Sequence, residues 1–243
     1  MIIVLLGPPG AGKGTQADRL AARLGIPKIA TGDVLRAALR DGTTRGKEAK
    51  AYMDRGDLVP DSVILGILQD VMNSPATAKG AILDGAVRTV PQAEGLGITL
   101  AEIGKRVNKV LLFDVDDDEL VRRLSGRTVC ENCQTPYMGR DPGSACEKCG
   151  GRLVRRKDDE PEAIRNRLDV YRTQTAPVID WYNDHKMKVL KIDADGPVDE
   201  VTARALEALG EAGSEAAEEV GSGGGKRKRE ARSSKREERR DSN

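Results

Sequence analysis

The chain opens with Met1-Ile2-Ile3-Val4-Leu5-Leu6-Gly7-Pro8-Pro9-Gly10-Ala11-Gly12-Lys13-Gly14-Thr15, and this stretch decides its fold. The first six residues are apolar and predict a buried strand, and the glycine-rich segment after them predicts a loop. The next apolar residues, up to Leu24, recur at helical spacing. In this order of elements, loop N–H groups, a helix N-terminus and a lysine bind phosphate. Gly14 separates Lys13 from Thr15, whereas the general motif has Ser or Thr directly after the lysine.

Further along the chain, apolar runs alternate with amphipathic stretches. The apolar runs predict buried strands over Ile2–Leu6, Lys28–Ala30, Ala81–Leu83, Val110–Val115 and Lys188–Ile192. The amphipathic stretches predict helices over Ala17–Leu24, Asp33–Leu39, Asp61–Met72, Asp117–Leu124, Pro161–Asp184 and Val198–Leu209. The alternation predicts an α/β fold, with a parallel sheet core flanked by helices. Ligands of such sheets bind at the carboxyl ends of the strands, where Gly7, Asp84 and Asp114 lie.

Two segments interrupt this alternation. Residues 31–60 are helical and polar, and residues 127–159 contain all four cysteines and many turn-forming residues. Both are predicted to be inserts that cover a ligand on the sheet. We therefore expect the core to be formed by residues 1–30, 61–126 and 160–210.

The composition sets the broad class of protein. No apolar run approaches the roughly 20 residues that span a membrane, and the first strand runs into a loop, not a signal cleavage site, so we expect a cytoplasmic protein.

The net charge is +1, but residues 221–243 hold nine Lys or Arg against four Asp or Glu. Residues 211–243 cannot build a core and are predicted to be disordered. They form either a solvated tail or a weak contact with nucleic acid.

Charged residues mark the places where the inserts meet the sheet. Asp84 ends an apolar strand, where a carboxylate is costly unless it is paired or lies near a metal ion, which makes it a candidate for the Mg²⁺ shell of a bound nucleotide. An arginine guanidinium binds phosphate through two parallel hydrogen bonds. The arginines at these junctions are Arg36, Arg88, Arg123, Arg127, Arg156 and Arg167.

The four cysteines form two Cys-x₂-Cys pairs, Cys130 with Cys133 and Cys146 with Cys149, separated by twelve residues. This spacing predicts a tetrahedral structural Zn²⁺ site. An iron–sulfur centre, an empty reduced site and two disulfides are the alternatives, and the lack of a secretion signal disfavours the disulfides. Four cysteine ligands leave no open coordination position, so the metal would stabilise the insert and take no part in chemistry.

Taken together, these motifs resemble those of the adenylate kinase family over about residues 1–210. The matching segments are Gly7 to Thr15, Thr31-Gly32-Asp33-Val34-Leu35-Arg36, Gly56-Asp57-Leu58-Val59-Pro60, Leu83-Asp84-Gly85, Arg88-Thr89-Val90-Pro91-Gln92-Ala93 and Arg156-Lys157-Asp158-Asp159. The position of Gly14 is also the form that nucleoside-monophosphate kinases have. The resemblance implies a monomeric phosphotransferase that converts MgATP and AMP reversibly into two ADP, with residues 31–60 as the AMP-binding module and residues 127–159 as a zinc-binding lid.

The resemblance also implies roles for individual residues. ATP would be bound by Gly10, Ala11, Gly12, Lys13, Gly14, Thr15, Arg123 and Arg127. AMP would be bound by Thr31, Arg36, Asp57, Val59, Gly85, Arg88, Gln92, Arg156 and Arg167. The catalytic set would be Lys13, Asp84, Arg88, Arg123, Arg127, Arg156 and Arg167, with Arg127 and Arg156 joining when the lid closes and excludes water.

One segment departs from the family pattern. The family has Gly-Phe-Pro-Arg where this chain has Gly85-Ala86-Val87-Arg88. Ala86 would remove an aromatic wall beside the AMP base, and Val87 would favour a trans bond where the family has a cis proline. We therefore expect weaker AMP binding. Two other functions stay open: a kinase for another nucleoside monophosphate, and a catalytically weakened nucleotide- and RNA-binding relative.

Overall fold

A computed structural model describes residues 1–210 of the 243. Its strands are β1 (Ile2–Leu6), β2 (Lys28–Ala30), β3 (Ala81–Asp84), β4 (Val107–Asp114), β5 (Arg127–Cys130), β6 (Pro136–Met138), β7 (Leu153–Val154) and β8 (Val189–Asp193). Five of them form a parallel sheet in the order β2-β3-β1-β4-β8, and the other three form an antiparallel sheet in the order β6-β5-β7.

The helices are α1 (Lys13–Leu24), α2 (Thr31–Arg40), α3 (Thr44–Arg55), α4 (Asp61–Met72), α5 (Val90–Glu102), α6 (Asp117–Ser125), α7 (Pro161–Val170), α8 (Pro177–Asp184) and α9 (Val198–Leu209). Short 3₁₀ turns lie at Pro75–Thr77 and Lys157–Asp159. Among these helices of residues 1–210, none has both the length and the apolar character needed to cross a bilayer. The predicted parallel sheet flanked by helices is confirmed. The predicted disordered tail, residues 211–243, lies outside the described residues.

The core consists of two apolar layers on opposite faces of the parallel sheet. All five residues of β1 are buried, which explains why this strand is apolar throughout. Ile2, Val4 and Leu6 point to the face covered by α4, α5 and α8, and Ile3 and Leu5 point to the face covered by α1, α6, α7 and α9.

The sheet places the ends of its central strands side by side. β1 lies between β3 and β4, and the register pairs Leu5 with Asp84 and Leu6 with Leu112. The chain after β1 therefore emerges where the strand order changes direction, the position at which open α/β sheets bind ligands.

The antiparallel sheet in residues 127–154 has little apolar core of its own. Its buried cluster consists of Cys130, Cys146 and Leu153, with Cys133 and Tyr137 packed against it. So small a cluster buries too little apolar surface to hold the sheet together by itself.

Helix α5 was not among the helices predicted from the sequence. Gly95, Gly97 and Pro91 lower the helix propensity of this stretch. Packing reverses that preference, because a Cβ on Gly95 would lie 2.6 Å from the Leu65 side chain, so the glycine permits close contact between α5 and α4. Pro91 stands in the first turn, where a proline is tolerated.

The single helix predicted over Pro161–Asp184 was wrong, because a π-helical turn at Tyr171–Thr175 divides it into α7 and α8. Pro177 has no N–H, and in a regular helix its ring would clash with the carbonyl four residues earlier. The π turn widens the backbone ahead of this proline, and Ala176 N donates to Tyr171 O at 2.8 Å.

Candidate active site

The loop between β1 and α1 curls around an open anion position. Gly7 has φ +138°, and a Cβ on it would lie 2.5 Å from the Phe113 carbonyl oxygen, so only glycine fits there. Gly12 has φ +86° and precedes the first residue of α1, Lys13. The loop therefore presents backbone N–H groups and a helix N-terminus to the same point.

Lys13 supplies the full positive charge of this loop. Its Nζ donates to the carbonyl oxygens of Gly7 at 2.7 Å and Pro8 at 2.8 Å. Burial and, to a smaller extent, the positive charges of Arg88 and Arg167 outweigh the opposing effect of Asp84 and together lower the pKa of Lys13 to about 8. The lysine thus lies in a region of positive potential that an anion would neutralise.

A cavity of about 640 Å³ extends from this loop across the carboxyl ends of the strands. Its volume falls in the range of small-molecule sites. The cavity is lined by every residue predicted for nucleotide binding: Gly10, Ala11, Gly12, Lys13, Gly14, Thr15, Thr31, Arg36, Asp57, Val59, Asp84, Gly85, Arg88, Gln92, Arg123, Arg127, Arg156 and Arg167. The structure thus brings these residues together, and their individual roles stay predictions.

Two of the arginines share one buried carboxylate. Asp159 accepts a hydrogen bond from Arg127 Nε at 2.8 Å and another from Arg167 Nη1 at 2.9 Å. Arg167 also lies 3.1 Å from the carboxylate of Asp158. Burial lowers the pKa of Arg167, and the nearby charge of Arg127 lowers it further. This pairing holds both guanidinium groups at the cavity wall.

Arg123 is held at the cavity wall by two hydrogen bonds. Its Nε donates to Glu119 Oε1 at 2.7 Å, and its Nη2 donates to the Ala194 carbonyl at 3.1 Å. Glu119 lies one helical turn before Arg123 in α6, so the two side chains share a helix face.

On the side of α2 and α5, backbone and amide groups orient Arg88. The Arg88 Nε donates to the Gly85 carbonyl at 3.1 Å, and the backbone N–H of Arg88 donates to Gln92 Oε1 at 2.8 Å. Gln92 Nε2 donates in turn to Asp61 at 2.7 Å. Burial lowers the pKa of Arg88, with the charge of Arg167 as the next cause. This second cation is exposed and lines the cavity, where it marks a second anion position.

Helix α2 begins at Thr31, two residues before the predicted start at Asp33. The Thr31 hydroxyl donates to the Gly85 carbonyl at 2.9 Å and makes no capping bond. This hydrogen bond therefore connects the start of α2 to the loop after β3.

Arg156 comes from the cysteine-containing insert and enters the same cavity. It lies 3.9 Å from Asp33, and its Nε is buried with no hydrogen-bond partner within residues 1–210. Burial, followed by the charges of Arg36 and Arg127, lowers its pKa to about 9. A buried donor without a partner is costly, so this atom is suited to an anionic ligand.

Asp84 lies half-buried at the end of β3, facing the phosphate loop. A Cβ on Gly14 would lie 3.2 Å from its Oδ2. A carboxylate oxygen next to a phosphate loop is a ligand that Mg²⁺ prefers.

Ala86 and Val87 both lie away from the cavity, and the expected effect on AMP binding stays a prediction. Both are buried in the apolar layer of α4 and α5, and neither lines the cavity. Ala86 therefore forms no wall beside a bound base. The described residues contain no cis peptide, so the bond before Val87 is trans, as expected.

The four cysteines of the insert cluster at one point. Their Sγ atoms all lie within 4.8 Å of one another, with Cys130 and Cys149 3.4 Å apart and Cys133 and Cys146 3.6 Å apart. A tetrahedral Zn²⁺ with bonds of about 2.3 Å separates its sulfur ligands by about 3.8 Å, so the cluster fits this ion. A hydrogen bond from the Tyr137 hydroxyl lowers the pKa of Cys146 to about 6, which favours the thiolate that a metal requires.

Several residues of the site were missed in the sequence. Asp158 and Asp159 directly follow Arg156-Lys157, and an acidic pair beside a predicted phosphate-binding arginine is a signal that could have placed them at the site, although they pair with Arg127 and Arg167. Glu119 could have been found from its four-residue spacing to Arg123. No sequence signal points to Gln134, which also lines the cavity.

Comparisons with known proteins agree with this geometry. A sequence profile described as adenylate kinase matches residues 5–187. The chain is 64% identical over 211 residues to the adenylate kinase of Gemmatimonas aurantiaca, an alignment that covers 86% of this chain and 99% of the relative. It is 50% identical over 213 residues to that of Acidothermus cellulolyticus, with 86% and 98% covered, and 49% identical over 209 residues to that of Methanocella arvoryzae, with 84% and 95% covered.

Proposed function

The chain belongs to the adenylate kinase family, whose reaction converts ATP and AMP into two ADP, and we propose how the residues of the cavity divide this reaction among them. The observation that carries the proposal is the convergence on one cavity of four cations whose pKa values are lowered: Lys13, Arg88, Arg156 and Arg167. Phosphoryl transfer requires positive charge around phosphate oxygens more than it requires a nucleophilic side chain.

On the donor side, we assign ATP to the loop of Gly10 to Thr15 together with Arg123 and Arg127. The loop N–H groups and Lys13 face the ATP phosphates, because they surround the anion position at the start of α1. When phosphate arrives, Lys13 Nζ exchanges its bonds to Gly7 O and Pro8 O for phosphate oxygens.

On the acceptor side, we assign AMP to the group around α2 and α5. Arg36 and Arg88 would bind its phosphate, and Thr31, Val59 and Gln92 would contact its adenosine. Support comes from the bonds that fix Arg88 through Gly85 and Gln92. Asp57 and Gly85 complete this part of the cavity wall.

Between the two nucleotides, Arg156 and Arg167 would stabilise the transferring phosphoryl group. The Nε of Arg156 lacks a partner within the described residues, and Arg167 is already oriented by Asp158 and Asp159. Donors fixed before the reaction stabilise the developing charge without reorganisation. Adenylate kinases use Mg²⁺ with ATP, and it supplies charge neutralisation at the phosphates when bound. Asp84 would hold its coordination shell.

We divide the chain into a core (residues 1–30, 61–126 and 160–210), an AMP-binding module (31–60) and a lid (127–159). Cys130, Cys133, Cys146 and Cys149 would hold a structural Zn²⁺ in the lid, supported by the fit of their sulfur atoms to a tetrahedron. The metal would replace the apolar core that the lid lacks.

We assign the protein to the cytoplasm as a monomer. Four free cysteines are typical of a reducing compartment, and one chain supplies all the residues of the site. A contact with nucleic acid would involve only the basic segment 221–243, which lies outside the described residues.

Substitutions on the two sides of the cavity test this division. Lys13→Met should lower kcat by about a hundredfold or more, because it removes charge from the donor phosphates. Arg88→Lys should raise the KM for AMP or lower kcat while the KM for ATP stays within about twofold, because a lysine cannot form the two parallel bonds. Arg106→Lys, an exposed change ahead of β4, is the matched control and should leave both constants unchanged. A selective effect of Arg88→Lys on ATP would contradict the assignment.

A further inference from the structure

Gln134 connects the cysteine-containing lid with the AMP-binding module. It follows Cys133 directly, in the loop between β5 and β6. Its Oε1 accepts a hydrogen bond from Arg36 Nε at 3.1 Å, although the two residues are 98 positions apart in the sequence. Arg36 belongs to α2, so this bond joins the same two segments as the Arg156–Asp33 and Lys157–Asp54 ion pairs.

The cysteine loop fixes the direction of the Gln134 amide. Nε2 donates to the carbonyl oxygens of Cys130 and Glu131, each at 3.1 Å. Both amide protons are therefore used, and Oε1 must face outward. The reversed amide would place an NH₂ group against a guanidinium and an oxygen against two carbonyl oxygens, which is unfavourable on both sides.

The backbone of Gln134 is held in a strained conformation. Its φ is +60°, and among residues 1–210 it is one of two non-glycine residues with a positive φ. A side chain in this region costs about 1 kcal/mol relative to glycine. A strained residue whose side chain points at a ligand-binding arginine is a candidate for a positioning role.

The contact orients Arg36 without blocking it. The Asp33 carboxylate pairs with Arg36 Nη2, and Gln134 Oε1 accepts a hydrogen bond from Arg36 Nε. Neither bond uses Nη1, so the end of the guanidinium stays available for a phosphate. The exposed fraction of the Arg36 side chain is 21%, so a hydrogen bond there is only partly weakened by water.

We propose that Gln134 is a positioning residue through which the closed lid orients Arg36 for the phosphate of the acceptor nucleotide. This inference rests on the proposed binding of AMP at Arg36. It makes the two substrates interdependent: ATP that closes the lid brings Gln134 to Arg36, and AMP then binds an arginine that is already oriented.

Two substitutions of Gln134 separate its side-chain contact from the folding of its loop. Gln134→Gly removes the amide and suits the positive φ, so the lid should fold at least as well. Gln134→Asn keeps an amide and tolerates this φ, but it is one methylene too short to reach Arg36 while bonded to the cysteine loop. Equal or higher melting temperatures would show that both variants fold.

The measurement is the dissociation constant of AMP, taken by calorimetry with and without a saturating non-hydrolysable ATP analogue. In the unmodified protein the analogue should tighten AMP binding. In both variants this coupling should fall by about three- to tenfold, as expected for the net contribution of one partly solvated hydrogen bond, while the affinities for AMP alone and for the analogue alone stay within about twofold.

Coupling that is absent in the unmodified protein, or retained in either variant, overturns the role of Gln134. A complete lack of AMP binding by the unmodified protein would instead contradict the proposed function. The two failures are therefore distinguishable.

Discussion

The buried carboxylate of Asp159 accepts a hydrogen bond from Nε of Arg127 at 2.8 Å. This bond joins β5, the first strand of the lid, to the 3₁₀ turn that precedes α7. Only 2% of the Asp159 side chain is exposed, and the same carboxylate also pairs with Arg167. One aspartate therefore fixes two of the arginines assigned to phosphate.

Removing this aspartate should damage both stability and turnover. Asp159→Asn removes the counter-charge of the largely buried Arg127 guanidinium and leaves Arg167 with Asp158 alone, so we expect a loss of about 3 kcal/mol in the free energy of unfolding. The kcat should fall more than the KM for either nucleotide changes, because we propose that these arginines stabilise the transition state. Urea unfolding and steady-state kinetics measure the two effects. Glu160→Gln removes an exposed neighbouring charge and is the matched control; equal effects of the two changes would contradict this role.

The affinity for ATP should fall as the pH rises above about 8. Lys13 has a pKa of about 8 in the free protein because of its burial, and bound phosphates raise it, so binding takes up a proton in this range. The free energy of unfolding changes in the opposite direction, because the Lys13 contribution to it rises with pH. The unfolded chain keeps this proton up to its ordinary pKa of 10.5, so the Lys13 contribution to the free energy of unfolding rises between pH 8 and 10.5.

Calorimetry at pH 7, 8 and 9 in buffers of different ionisation enthalpy would measure the affinity and the proton uptake together. Lys13→Met should flatten the pH dependence. A constant ATP affinity up to pH 9.5 in the unmodified protein would show that this lysine does not titrate in the range.

Two glycines of the phosphate loop should differ in their tolerance of a methyl group. Gly7→Ala places a Cβ 2.5 Å from the Phe113 carbonyl oxygen, so we expect a loss of at least about 3 kcal/mol in unfolding free energy. Gly12→Ala meets no atom within 4 Å and incurs only backbone strain, about 1–2 kcal/mol. Denaturant midpoints with unchanged m values would measure the difference, and a reversed order would contradict the described loop.

Removal of the lid metal should unfold the lid and leave the core folded. The buried cluster of the lid contains only Cys130, Cys146 and Leu153, which cannot stabilise a three-stranded sheet alone. Chelation should therefore expose residues 127–159 to trypsin and to hydrogen exchange, while the parallel sheet keeps its protection. Cys146→Ser should reproduce the effect without a chelator. Unchanged exchange in the lid after chelation would show that no metal stabilises it.

The hydroxyl of Tyr182 should be dispensable. It is buried, and it has no hydrogen-bond partner within the described part of the chain. Tyr182→Phe removes a desolvated polar group, so the free energy of unfolding should stay equal or rise by up to about 1 kcal/mol. Tyr137→Phe is the contrasting variant, because the Tyr137 hydroxyl contacts Cys146 Sγ at 3.2 Å and accepts from Glu147 N–H at 3.1 Å. A clear loss of stability in Tyr182→Phe would reveal a partner, such as a buried water.

The sequence was informative where local pattern and burial agree. β1 and the helices over Asp61–Met72 and Val198–Leu209 were predicted with their observed bounds, because their apolar residues repeat at the period of the element. Helix α5 was missed because its glycines lower helix propensity, and only the contact with Leu65 explains Gly95. The π turn depends on how Pro177 is accommodated, which periodicity does not report.

The active site shows the same distinction between what local sequence pattern predicts and what long-range contacts determine. Motif spacing identified the phosphate loop and the cavity-lining arginines, since their chemistry depends on residue type and order along the chain. It could not identify the carboxylate partner of an arginine 32 residues away, as for Arg127 and Asp159. It also could not show that Ala86 faces the core, because one alanine in a loop carries no periodic signal.

The central claim is that this cavity transfers a phosphoryl group from ATP to AMP. The most direct test is a coupled assay of ADP formation by the full chain, with MgATP and each of AMP, GMP, CMP and UMP as acceptor, with and without a zinc chelator. The account predicts ADP formation with AMP at a kcat/KM at least about tenfold above that of any other acceptor, and a lower rate after chelation. Absence of ADP formation with AMP, or preference for another monophosphate, would contradict it.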